Sequence, residues 1–167
     1  TESGKILDKV RELVVETFEK SESDVKDGMD ISLCVLNKNE KELCWSGANN
    51  PLWIIRKGSE GTVHEVIEFK PNKQAIGKTE NAKPFTTHKI KLQSNDCIYV
   101  FTDGYVDQFG GEGGKKYKSA NFKNFLLSIQ DKNMAEQGIL ISENFENWRG
   151  KLEQIDDVCV IGVKINN

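Results

Sequence analysis

The chain has 167 residues, of which 37% are hydrophobic and 29% charged, a balance that suits one soluble globular domain over residues 1–167 rather than a disordered tail. Its 23 Lys+Arg against 26 Asp+Glu leave a net charge of −3, so no basic surplus favours a nucleic-acid backbone or an anionic membrane surface. Apolar runs of only a few residues predict no membrane span, and the charged start predicts no secretory signal on this chain.

The first element is an amphipathic helix. Ile6, Leu7, Val10, Leu13, Val14, Thr17 and Phe18 recur at three- and four-residue steps, with Lys5, Lys9, Glu12, Glu16 and Glu19 on the other face. Ser3 is expected as its N-cap, and the run Ser21 to Asp24 as its end. Asp30 to Leu36 and Glu42 to Trp45 read as a hairpin across a polar turn. Further strands are expected at Leu52–Arg56, Thr62–Phe69 and Thr86–Leu92, with a Pro/Asn/Lys/Gly-rich connection from Lys70 to Pro84. Cys97 to Thr102 is nearly all apolar and reads as a central strand buried on both faces. Gly110 to Lys116 then reads as a flexible loop. Helices follow at Ser119–Gln130 and Met134–Trp148, and a last strand at Val158–Ile165. Strands grouped together and helices grouped together predict an α+β fold, not a doubly wound parallel sheet.

The four cysteines, at 34, 44, 97 and 159, lie in apolar stretches and form no C-x-x-C pair. With only two histidines a zinc site is not expected, and reduced core thiols in a cytosolic compartment are. The candidate chemistry lies at two strand ends. Asp103 closes a buried strand and is followed by Gly104; Asp156 and Asp157 open another apolar strand, 53 residues later. If those strands are antiparallel neighbours, Asp103 meets Asp156. Carboxylates gathered without a basic partner suit a hard divalent cation such as Mg²⁺ or Mn²⁺. From spacing alone a plain Asp-Gly turn and a solvated strand start account for the same residues.

The stretches YVFTDGYVDQFGG (99–111) and EQIDDVCVIGVKI (153–165) resemble motifs of the metal-dependent phosphatases of the protein phosphatase 2C superfamily, in its bacterial stage II sporulation phosphatase-like branch. DGMDISLCVLN (27–37), WSGANNPLWII (45–55), Gln74 to Gly77, the Gly-rich stretch leading to Lys116-Tyr117, and Asn147 to Gly150 are similar to further segments of that branch. The resemblance runs from the first helix to the last strand. It implies a four-layer α/β/β/α sandwich of antiparallel sheets flanked by helices, hydrolysing phosphoserine and phosphothreonine with two Mn²⁺ or Mg²⁺ ions and their bridging water. It makes Asp103 and Asp156 catalytic metal ligands, Asp157 an orienting neighbour and Asp107 an outer-sphere group. It implies a phosphoprotein substrate, an upstream sensor or regulatory domain, and a cytoplasmic setting, alone or as part of a larger membrane-associated protein.

The family's early metal-binding Asp and its Asp-x-x-Gly-His-Gly segment are not found, since neither His64 nor His88 follows a glycine. The resemblance therefore implies an N-terminally truncated domain, weak or inactive as it stands, with exposed apolar surface and self-association. The alternative is a catalytically silent module of the same fold that binds a regulatory protein. Elsewhere, structural roles are expected: a turn for Asn49 and Asn50 before Pro51, and packing for Trp45, Trp53 and Trp148. The Gly110–Lys116 loop reads as a mobile flap rather than a nucleotide site, and Asp27 and Asp30 as residues outside the metal site.

Overall fold

The computed structural model describes residues 2–19, 28–58 and 63–166. The chain forms two compact units, Thr1–Leu52 with Phe69–Gln93, and Trp53–Glu68 with Ser94–Asn167. The expected helix end at Ser21 to Asp24, the turn at Asp27 and the strand start at Thr62 lie outside the described residues.

In the first unit helix α1 (Ser3–Glu19) accompanies a three-stranded sheet of β1 (Ile31–Asn37), β2 (Glu42–Ala48) and β5 (His88–Lys91), in the order β1-β2-β5. The expected hairpin is present, with Ile31 opposite Ala48 and Asn37 opposite Glu42. Strand β2 runs three residues beyond Trp45, because Gly47 and Ala48 still pair with β1. As the central strand it is almost wholly buried, whereas β1 at the edge is only half so. Ser3 is the first helical residue and is buried. Its hydroxyl lies 2.8 Å from that of Ser46, which donates its own proton to the Thr86 carbonyl, so Ser3 is the donor. It ties the helix to the sheet where a cap was expected. Gly4 is required there: a Cβ would stand 2.2 Å from the Phe85 carbonyl oxygen. Leu7, Ala48, Ile76 and Phe85 form the core of this unit, with Val10, Val14, Ile31 and Leu33 packed on it. Trp45 is fully buried and its indole N–H donates to Ser32 at 2.8 Å, the packing role expected of it. Asn49 takes a positive φ of 58°, and its amide donates to Asp30 at 2.8 Å.

The second unit holds a four-stranded sheet in the order β4-β3-β6-β9, formed by β3 (Leu52–Lys57), β4 (His64–Phe69), β6 (Cys97–Phe101) and β9 (Val160–Lys164). Burial again follows rank in the sheet: β3 and β6 are central and buried, β4 and β9 are edges and half-open. Helices α3 (Ser119–Ser128) and α4 (Met134–Arg149) complete the unit. Trp53, Phe101, Tyr105, Phe122 and Phe145 form an aromatic core, with Tyr105 stacked on Phe122 at 4.1 Å. Helix α4 starts in a capping box, Asn133 accepting from the Glu136 amide at 3.0 Å while Glu136 accepts from the Asn133 amide at 2.9 Å. No helix among the described residues is long and apolar enough to cross a membrane.

Two expectations are corrected. The Gly-rich segment is not an unstructured loop. It is a two-stranded ribbon of β7 (Phe109–Gly110) and β8 (Lys115–Lys116), and the Gly111 amide donates to the Trp148 carbonyl at 2.9 Å. Gly110 and Gly111 permit that close docking, since a Cβ there would stand 1.9 Å and 2.9 Å from Trp148 atoms. Only Cys44 and Cys97 are core thiols; Cys34 and Cys159 are exposed, because Cys34 sits on the edge strand β1 and Cys159 just before the edge strand β9. The apolar last strand is an edge of its sheet, with Ile161 54% and Val163 42% exposed.

Candidate functional site

Strands β6 and β9 are antiparallel neighbours, with Phe101 opposite Val160 and Cys97 opposite Lys164. The end of one therefore meets the start of the other, as the spacing of Asp103 and Asp156 anticipates. Past the last ladder pair the contact continues. The Thr102 amide donates to the Cys159 carbonyl at 3.0 Å, the Thr102 hydroxyl donates to the Asp157 carbonyl at 2.8 Å, and the Cys159 amide donates to that hydroxyl at 2.9 Å. One threonine thus satisfies both a donor and an acceptor of the opposing backbone.

Gly104 shows how tight this junction is. A Cβ there would lie 2.5 Å from the Asp157 carbonyl oxygen and 3.3 Å from the Asp156 carbonyl carbon. The glycine's role is close approach, since its backbone is helical rather than left-handed. The chain does not simply turn after Asp103. It winds one turn of helix, α2 (Gly104–Asp107), with Asp103 just before its first residue and the Asp107 amide donating to the Asp103 carbonyl at 2.9 Å. Asp103, Asp156 and Asp157 are all exposed, so their carboxylates meet solvent at the sheet edge. The Asp157 amide donates to Asp156 Oδ1 at 2.7 Å. Asp107 pairs with Lys116 Nζ at 2.8 Å, a bond between α2 and the ribbon. Asp30 lies in the first unit, bonded to Asn49.

Gln108 escaped the sequence reading. Its side chain is wholly buried, and the amide nitrogen donates to the carbonyls of Glu153 at 2.9 Å and Phe109 at 3.0 Å. Its oxygen accepts from the Ile155 amide at 3.3 Å. Every hydrogen of that amide is used, and the segment leading into Asp156 is held by it. A glutamine two residues before a glycine pair gives no local sign of such a role, because two of its three partners lie more than forty residues ahead.

The donor set is all oxygen and suits a hard cation. Among the described residues, however, no group of three or more His, Cys, Asp or Glu gathers to hold a metal ion. Asp103 and Asp156 are two exposed carboxylates at facing strand ends. The same residues do not amount to a two-ion centre.

Comparison with solved structures fixes the fold. The chain is similar to the SiaA-PP2C domain of Pseudomonas aeruginosa, with a TM-score of 0.82 and 24% identity, over 96% of this chain and 60% of that one. It is similar to the phosphatase domain of the cell fate determinant SpoIIE from Bacillus subtilis, with a TM-score of 0.63 and 14% identity, over 100% of this chain and 75% of that one. It also matches a structure of the RsbU and RsbW domains of a Mycobacterium tuberculosis protein, at a TM-score of 0.63 and 17% identity, over 96% of this chain and 46% of that one. The expected α+β fold of helices and antiparallel sheets is that of the protein phosphatase 2C type. No curated protein matches the sequence. The family model described as Stage II sporulation protein E (SpoIIE) matches residues 2–166, and the chain belongs to that family.

Proposed function

We propose that residues 1–167 are the bulk of a single metal-dependent phosphatase domain that hydrolyses phosphoserine and phosphothreonine in a bacterial signalling protein. The observation that carries the reading is the junction of β6 with β9, which sets Asp103 and Asp156 at one sheet edge in a member of this family. Bound there, Mn²⁺ or Mg²⁺ would acidify a coordinated water and screen phosphoryl charge. Asp103 and Asp156 are the proposed ligands. Asp157 orients Asp156 through its amide, and Gln108 and Thr102 hold the backbone on which both stand. Asp107, engaged by Lys116, stays outside the coordination shell. With two carboxylates, ion binding is weak and turnover low. Solved relatives include SpoIIE with a fragment of its regulatory domain and RsbU with RsbW, which supports a regulatory domain or partner for this chain as well.

A second reading, a silent module of the same fold that binds a regulator, is favoured by the lack of a three-member ligand cluster among the described residues. Titration calorimetry with Mn²⁺ and hydrolysis of p-nitrophenyl phosphate separate the two. The enzyme reading expects weak Mn²⁺ binding and slow hydrolysis, both lost in Asp103→Asn and Asp156→Asn and kept in Asp107→Asn. Binding without turnover supports the silent module. Hydrolysis that survives Asp103→Asn sinks the site assignment.

A further inference from the structure

A groove of about 300 Å³ lies in the second unit, between helix α4 and the segment leading into β9. Its floor is apolar and firm. Tyr105, Ile141 and Phe145 are all buried, and the Tyr105 hydroxyl donates to the Ile141 carbonyl at 3.0 Å. The half-buried Val158 and Val160 line it from the β9 side. Its polar lining is rich in acceptors, since the Glu146 carboxylate, the Ser142 hydroxyl and the Gln154 side-chain oxygen can each take a hydrogen bond.

Gly138 keeps the groove open. It lies within α4, takes no positive φ, and a Cβ there would meet nothing within 4 Å. Neither backbone conformation nor close approach therefore calls for glycine, which weakens a helix interior relative to alanine. Its missing side chain does leave the mouth unobstructed, because Gly138 is itself a lining residue.

The surroundings are acidic. From Met134 to Val160 six Asp and Glu outnumber two basic residues, in a chain whose net charge is only −3. Glu146 already accepts a guanidinium, that of Arg149, in a pair at the helix surface. Such pairs hold weakly and exchange partners. Ile139 and Ile155, next in the chain to Gly138 and Gln154, are 60% and 53% exposed, so apolar surface borders the groove as well. A volume at the bottom of the ligand-pocket range suits one side chain rather than a cofactor. An apolar floor under an anionic rim matches arginine, whose stem packs while its guanidinium stays at the edge.

We infer that this groove docks an arginine from an extended segment of a partner protein, with apolar neighbours of that arginine resting on Ile139 and Ile155. The contact needs no ion, so it stands apart from the metal-binding role of Asp103 and Asp156.

Amide NMR titration of the metal-free chain uses the peptide acetyl-Gly-Leu-Arg-Leu-Gly-amide, beside the same peptide with citrulline for arginine. Citrulline keeps the stem and the shape but loses the charge. Saturable shifts are expected at Gly138, Ser142, Gln154 and Val158, with a millimolar-range Kd that rises with salt and is several-fold higher for citrulline. Gly138→Phe fills the mouth from an exposed helix position and should abolish those shifts. Glu146→Gln should weaken binding several-fold, and it carries the test should Gly138→Phe fold poorly. Glu143→Gln, on the same helix but outside the groove, should leave binding unchanged. Absent or unsaturable shifts at those amides, equal binding of the two peptides, or binding that survives a folded Gly138→Phe each overturns the inference. So does a loss in Glu143→Gln as large as that in Glu146→Gln, which would reduce the contact to diffuse charge.

Discussion

Replacing Gly104 by alanine tests the geometry on which the proposed site rests. The added methyl would stand 2.5 Å from the Asp157 carbonyl oxygen, against an ordinary carbon–oxygen contact well beyond 3 Å. The obstruction is backbone on both sides, with no flexible side chain to swing away, so the start of β9 must move off the end of β6. Overpacking of this kind costs about 1–3 kcal/mol, and the rigid partners place it at the upper end. Alanine returns about 0.5–1 kcal/mol through its better backbone entropy, leaving a loss of about 2 kcal/mol. For a chain of this size that lowers Tm by about 4–8 °C. Mn²⁺ binding should fall with it, since the displaced segment carries Asp156. Gly138 in α4 supplies the matched control: a Cβ there meets nothing within 4 Å, so Gly138→Ala should gain up to about 1 kcal/mol. Both variants are read by thermal melts and Mn²⁺ calorimetry. A Gly104→Ala protein that melts at or above the parent would show that the strand ends do not meet as described.

Two further outcomes are expected. Gln108→Leu removes three hydrogen bonds from a buried amide, yet the freed groups of Glu153 and Ile155 lie on exposed residues and can rehydrate. The cost by urea denaturation should therefore stay near 1–2 kcal/mol, while Mn²⁺ affinity drops several-fold; an unchanged affinity would deny Gln108 a positioning role. His88 sits 5.2 Å from the Trp45 ring and 5.9 Å from Phe69, and burial holds its pKa below the ordinary histidine value. The folded state therefore disfavours the imidazolium, and the histidine's contribution is intact above about pH 6.5 and lost as pH falls through the folded pKa. His88→Gln should flatten that part of the Tm–pH profile, and an identical slope in parent and variant would refute it.

Much of the fold can be read from the chain because burial and pattern agree. The continuous apolar run Cys97 to Phe101 is a central strand, and the mixed run His64 to Phe69 is an edge. Where the two disagree, rank in the sheet decides. The run from Val158 to Ile165 is apolar but for Gly162 and Lys164, yet β9 is an edge strand and leaves Ile161 and Val163 to solvent. A glycine and a lysine are a slight local difference, and sheet order is a property of long-range pairing. The Gly-rich segment fails for the same reason. Its composition argues for freedom, and its actual conformation is set by the Trp148 carbonyl, nearly forty residues on. That Asp103 and Asp156 stand at facing strand ends follows from the sequence only on the condition that their strands are antiparallel neighbours, which the β6–β9 ladder meets. No such condition picks out Gln108.

The ranks of the two strands bear on how the proposed ligands would behave. Asp103 follows a central strand whose residues pack into the aromatic core, so its backbone moves only with Phe101 and Tyr105. Asp156 precedes an edge strand, and its own segment is exposed and held chiefly by Gln108, by Thr102 and by the bond from Gln154 to the Asp156 carbonyl. Edge segments with few buried contacts open locally at much lower free energy than core strands. One carboxylate is thus fixed and the other compliant. A cation drawing both together orders the Asp156 side rather than the Asp103 side. Hydrogen exchange should accordingly show protection gained on Mn²⁺ addition at the amides of residues 153–159, with the amides of β6 unchanged. Equal gains on both strands would mean that the core strand yields as well, and that the division of labour between a rigid and an adjustable ligand is wrong.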